Sequence, residues 1–133
     1  MCANFRRTGR ALTQLYDEAL RPAGLRGTQF TMLQAFSLAG GVTQRELGRI
    51  LAMDSTTLTR TLTIMSRNGW IAKQRGKDRR EWRMQLSKAG EIQFKKALPY
   101  WEKAQKDLRR KLGDELSDSL MKLTQKITNA LTD

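Results

Sequence analysis

The spacing of apolar residues changes at about residue 71, from the three- and four-residue steps of helices to the alternation of a strand. Directly before that change stand two short helical patterns separated by a three-residue turn. The first opens at Thr43-Gln44-Arg45-Glu46, a capping box in which the hydroxyl and the carboxylate reciprocally satisfy free backbone donors. It carries Leu47, Ile50 and Leu51 inward, and Gly48 falls where a larger side chain would hold a neighbouring helix away. Glycine costs on the order of 1 kcal/mol against alanine inside a helix, so close helix contact is expected to offset that loss. Ala52-Met53-Asp54 leaves room only for a tight turn, with Asp54 or Ser55 as the next N-cap. In the second pattern Leu58, Leu62 and Met65 share one face, and Thr56, Arg60, Thr63 and Arg67 lie opposite. Asn68-Gly69 closes it, as suits a cap that needs a left-handed residue. Trp82, Met84 and Leu86 then alternate with Arg83 and Gln85, and Ile71-Ala72-Lys73-Gln74-Arg75 supplies a partner strand.

Helices are expected on both sides of this unit. Phe5, Leu12, Leu15, Tyr16, Ala19 and Leu20 mark an amphipathic helix from about residue 3 to 20, ended by Arg21-Pro22-Ala23-Gly24. Another starts after Thr28 and stops at Gly40-Gly41. After Ser87 a long stripe runs through Phe94, Leu98, Trp101, Leu108 and Leu112, with a kink expected near Pro99. Beyond Gly113-Asp114, Leu116, Leu120, Leu123, Ile127 and Leu131 lie close to a heptad seam. The expected fold is mostly α with a small β-hairpin wing: a winged helix-turn-helix core over residues 27–86, flanked by dimerisation helices over 1–26 and 87–133. The flanking stripes, Phe5, Leu12, Leu108 and Leu112 with the seam beyond them, need a partner surface, and a second identical chain supplies it with two-fold symmetry.

Charge points to the partner. Lysine and arginine number 25 against 13 acidic residues, a formal charge of +12 in a chain of 133 residues. Such an excess repels itself in a compact fold and usually answers a polyanion. The chain has no histidine and a single cysteine, Cys2, which removes Ser-His and Cys-His catalysis, internal disulfides and CxxC metal sites. The carboxylates Asp17, Glu18, Glu46, Asp54 and Asp78 are scattered, with no pairing for general acid and base work, so neither an enzyme nor a cofactor is expected. No apolar run approaches the ~18 residues of a spanning helix, and the start lacks a signal-peptide centre, so a cytoplasmic protein without membrane contact is expected.

These features suit double-stranded DNA. A helix fits the major groove, where each base pair offers a distinct donor and acceptor pattern. Thr56, Thr59, Arg60 and Thr63 are the expected base or groove contacts, with Arg67 on the same outward face. Ser55, Thr57, Thr43 and Gln44, at helix starts, are better placed for phosphates. Lys73, Arg75, Lys77, Arg79, Arg80 and Arg83 put six cations into eleven residues around a tip that holds Asp78. Affinity should therefore fall steeply with salt, and a tip arginine suits a narrow minor groove. The competing reading is a winged-helix assembly module without sequence-specific DNA binding. It would show an apolar or acidic outward face in place of the threonines and arginines.

The run Asp78-Arg79-Arg80-Glu81-Trp82-Arg83-Met84-Gln85-Leu86-Ser87-Lys88-Ala89-Gly90 resembles the wing signature of the MarR family, an Asp-x-Arg followed by a Leu-Thr/Ser-x-x-Gly step into the next helix. Asp54-Ser55-Thr56-Thr57-Leu58-Thr59-Arg60 is similar to that family's recognition-helix start, and Leu20 to Leu25 with Gln29-Phe30 to its first interhelical connection. The resemblance implies a homodimer on palindromic promoter DNA, usually a repressor, with Arg80 as the minor-groove arginine and Asp78 as its salt-bridge support. It also implies a response to small aromatic compounds or oxidants. Tyr16, Phe30, Phe36 and Trp101 are the residues for an aromatic effector crevice, and Cys2 is the thiol for a redox response.

Overall fold

The computed structural model describes residues 1–78 and 80–132. Helix α1 spans Cys2–Leu20 and leads through a 3-10 turn at Arg21–Ala23 into α2, Gly27–Ala39. Then follow α3 (Gln44–Leu51), α4 (Ser55–Arg67), strands β1 (Ile71–Arg75) and β2 (Trp82–Leu86), α5 (Lys88–Leu112) and α6 (Asp114–Thr132).

Local chemistry accounts for most of these boundaries. Gly24, at φ 74°, takes the left-handed conformation that ends the 3-10 turn. Helix α2 begins earlier than periodicity indicates because Asp17 Oδ1 on α1 accepts from the Gly27 N–H at 2.6 Å, a tertiary cap. The capping box of α3 forms as expected, with the Glu46 N–H donating to Thr43 Oγ1 and the Thr43 N–H to Glu46 Oε2, each at 3.1 Å. Gly69, at φ 75°, turns the chain after α4, and the Trp70 N–H returns to the Met65 carbonyl at 3.1 Å. The strands pair antiparallel, from Ile71 opposite Leu86 to Arg75 opposite Trp82. Val42 adds a single bridge to Met84, which fastens the segment before α3 to the wing.

The core gathers Phe30, Phe36, Met32, Leu33, Leu47 and Met65 with Leu20 from α1 and Ala97 from α5. It thus runs through both ends of the 27–86 segment, and α5 packs against α1, α2 and β2. Phe30 stacks on Phe94 and Trp101 of α5, with ring centroids 5.5 and 5.4 Å apart. Helix α5 continues through Pro99 as one helix. Helix α6 contributes no buried residue: Leu123 is 58% and Leu131 80% exposed, and Leu116, Ile127 and Phe5 of α1 are open as well. Leu12, Leu108, Leu112 and Leu120 are half-buried around a cleft of about 380 Å³ between α1, α5 and α6. No helix among the described residues is long and apolar enough to cross a membrane.

Two expectations for α3 are corrected. Ile50 is 56% exposed, because α3 is so short that Leu47 and Leu51 fill its inward side. Gly48 does face the neighbouring helix, but a Cβ there would meet Leu58 Cδ2 at 3.4 Å and the Met53 carbonyl at 3.5 Å, ordinary contact distances. Gly48→Ala should therefore be tolerated and raise stability by up to about 1 kcal/mol through helix propensity. A rise, or no change, in the urea midpoint is the expected reading.

Candidate nucleic-acid interface

Helix α4 is held at its start by Asp54, whose carboxylate accepts from the Thr57 N–H and the Thr57 hydroxyl, both at 2.8 Å. These two bonds favour the charged form and draw the Asp54 pKa below its ordinary value. The carboxylate thus stays ionised and keeps the first turn of α4 ordered. With Leu58, Leu62 and Met65 buried, Ser55, Thr56, Thr57, Thr59, Arg60, Thr63 and Arg67 are all exposed.

The threonine hydroxyls are less free than their exposure suggests. Thr57 is spent on Asp54, and the Thr61 and Thr63 hydroxyls donate back to the carbonyls of Thr57 and Thr59 at 3.0 and 2.8 Å. Thr59 Oγ1 accepts from Gln44 Nε2 at 3.0 Å, which ties α3 to α4 across the turn. Thr43 is occupied by its capping box and is half-buried. Gln44, Thr59, Thr63 and Arg67 line one side of a cleft of about 450 Å³ whose other wall includes Lys73 of β1. The start of α3, the outer side of α4 and the root of the wing therefore meet at one place.

On the wing, Lys73, Arg75, Lys77, Asp78 and Arg80 are exposed, whereas Arg79 lies outside the described residues. Asp78 Oδ1 accepts from the Arg80 backbone N–H at 3.1 Å, and the Asp78 carbonyl accepts from Glu81 N–H at 2.9 Å. The expected ion pair between Asp78 and the Arg80 guanidinium is not among the contacts of the described residues. Asp78 fixes the turn through the backbone instead, and Arg80 extends from it. Arg83 differs from the other wing cations: its guanidinium donates to the Gly41 carbonyl at 3.1 Å and lies 3.6 Å from both Glu46 and Glu81. It braces the base of the wing against the start of α3. Arg75 stacks 4.6 Å from the ring centre of Trp82, itself 49% exposed. The single alternation pattern gave no sign of this cross-strand pair; the register of the hairpin makes it.

Of the four aromatic positions singled out for an effector, three come together. Tyr16, Phe30 and Trp101 line a cavity of about 420 Å³ with Leu12, Thr28, Thr31 and Met53. The Tyr16 hydroxyl donates to Gln105 Oε1, and burial raises its pKa. Phe36 is separate, in the core and beside another cleft between α2 and α5. Cys2 is exposed in the first turn of α1.

A short capped helix, a tight turn, an outward-facing second helix and a two-stranded basic hairpin define a winged helix-turn-helix regulator of transcription. The chain belongs to the MarR family, whose sequence profile matches residues 23–81. It is 35% identical to the M. tuberculosis transcriptional regulator MosR, seen in a crystal structure in complex with DNA; the match covers 98% of this chain and 97% of that one, with a TM-score of 0.83. It is also 29% identical, over 108 residues, to the uncharacterized HTH-type transcriptional regulator YwoH of Bacillus subtilis, covering 81% of this chain and 79% of YwoH. A mutant E. coli MarR complexed with operator DNA shares the fold, at 22% identity and a TM-score of 0.84 over 94% of this chain and 91% of that one.

Proposed function

We propose that this chain binds palindromic operator DNA as a homodimer and represses transcription, with α4 in the major groove and the wing along the adjacent minor groove. The observation that carries the reading is the convergence of Gln44, Thr59, Thr63, Arg67 and Lys73 on one cleft, with Arg60 beside it and Arg80 at the hairpin end. Cations and helix starts there face the same side, as a duplex backbone requires. The open seam of α6 supports the dimer, since a helix with six large apolar residues and none buried lacks a covering surface. The cavity beside Tyr16, Phe30 and Trp101 supports an aromatic effector, whose entry between α1, α2 and α5 would shift the helices that carry the reading heads. Cys2, exposed and beside a helix start, is the position for a response to oxidants.

The two arginines should separate by binding mode. Arg60→Ala should cost about 5- to 160-fold for each half-site of the selected operator, the worth of one bidentate base contact, and little on random duplex. Arg80→Ala should weaken both and reduce the salt slope of log affinity by about one for each wing. Titration of each variant on both duplexes at several salt concentrations checks this. Equal losses on both duplexes for Arg60→Ala would make it a phosphate contact.

A further inference from the structure

We propose that α4 reads a thymine methyl group through Ile64, next to the base read by Arg60. The inference rests on the DNA-binding reading above and adds to it a base identity. Ile64 is 42% exposed, although the three buried residues of α4 show that this helix has a well-filled inward side. It stands one helical turn beyond Arg60, so the two side chains are neighbours on the helix surface. Isoleucine carries no donor or acceptor. Along the major groove the one apolar group on a base edge is the thymine C5-methyl.

The surroundings of Ile64 strengthen this assignment. The Thr63 hydroxyl donates to the Thr59 carbonyl, and the Thr61 hydroxyl to the Thr57 carbonyl, so neither proton is available to a base. Thr63, also exposed, is left with its methyl and with an oxygen that can accept but not donate. What the sequence presents as a row of hydroxyls is therefore, around Ile64, an apolar spot bordered by the guanidiniums of Arg60 and Arg67. Such a spot discriminates by shape and by burial of a methyl, whereas Arg60 discriminates by hydrogen bonds. A half-site with a guanine and a thymine close together is the expected target.

Deoxyuridine tests the claim, because it differs from thymidine only in the missing methyl and pairs in the same way. A duplex selected from a random pool is titrated with the full-length protein after each half-site thymine is replaced in turn by deoxyuridine. At one position the wild type should lose about fourfold per half-site, the transfer value of one methyl-sized group, or roughly fifteenfold when both halves are changed. Ile64→Ala should bind the thymine duplex about as weakly as the wild type binds the deoxyuridine duplex, and should itself be indifferent to the replacement. Its circular dichroism should match the wild type, since alanine is the better helix former at an exposed site. If no thymine matters, or if Ile64→Ala stays as sensitive as the wild type, the assignment is wrong while the regulator reading stands. Failure to bind any duplex is a distinct result that overturns the regulator reading itself.

Discussion

Gly90→Ala should destabilise the protein by more than about 3 kcal/mol, more than any other single methyl added at a glycine of this chain. A Cβ at Gly90 would lie 2.2 Å from the Trp70 carbonyl oxygen, 3.1 Å from its carbonyl carbon and 3.2 Å from its Cα. All three are backbone atoms, so no side chain can swing aside. The contact is tight because α5 begins directly against the turn that ends α4. The Ser87 N–H donates to the Trp70 carbonyl at 2.9 Å, the Ser87 hydroxyl donates to the Gly69 carbonyl, and the Gly90 N–H donates to Ser87 Oγ at 3.1 Å. Relieving the clash would break this junction and detach the recognition helix from the long helix behind it. Urea unfolding at fixed protein concentration measures the effect, with Gly9→Ala as control because nothing lies within 4 Å of a Cβ there. An unchanged midpoint for Gly90→Ala would mean that α5 starts farther from Trp70. The Leu-Ser-x-x-Gly step that carries the family likeness thus serves packing and capping, one link away from DNA.

The second large effect is expected at α6. Leu123→Asp combined with Ile127→Asp places two carboxylates on the open apolar seam while leaving the residues of α4 and the wing untouched. In a monomer both positions face water, so helical content should barely change. In a two-fold dimer each charge would be desolvated without a partner, and the interface should fail. Sedimentation should then show monomer at micromolar concentration, and operator affinity should drop by about 100-fold or more as the two reading heads lose their tether. Retention of the dimer would move the interface to another surface.

Much of this arrangement is legible in the sequence where local chemistry decides it. Thr43 to Glu46, Asp54, Asn68-Gly69 and the alternation from Trp82 to Leu86 each specify a cap, a turn or a strand within a few residues. The features that escape such a reading depend on distant partners. Asp17 moves the start of α2, Val42 joins the sheet through a single bridge too short to alternate, and Arg83 turns back toward Gly41 and Glu46 although its spacing resembles the other wing cations. Ile50 is miscounted as inward because an eight-residue helix has room for few buried positions. Periodicity also places the exposed side of α4 without its chemistry: the Thr61 and Thr63 hydroxyls donate to their own helix, which changes what that side offers to a partner. Phe36 shows the same limit, since an aromatic residue at helical spacing belongs equally well to a core or a crevice until its neighbours are known.

Selection of binding sites from a pool of random duplexes tests the central claim most directly. Two symmetric reading heads should enrich an inverted repeat with half-sites about one helical turn apart, roughly 10 base pairs centre to centre. Recovery of no enriched duplex even in dilute buffer, or of a lone half-site without its mirror image, would contradict the account.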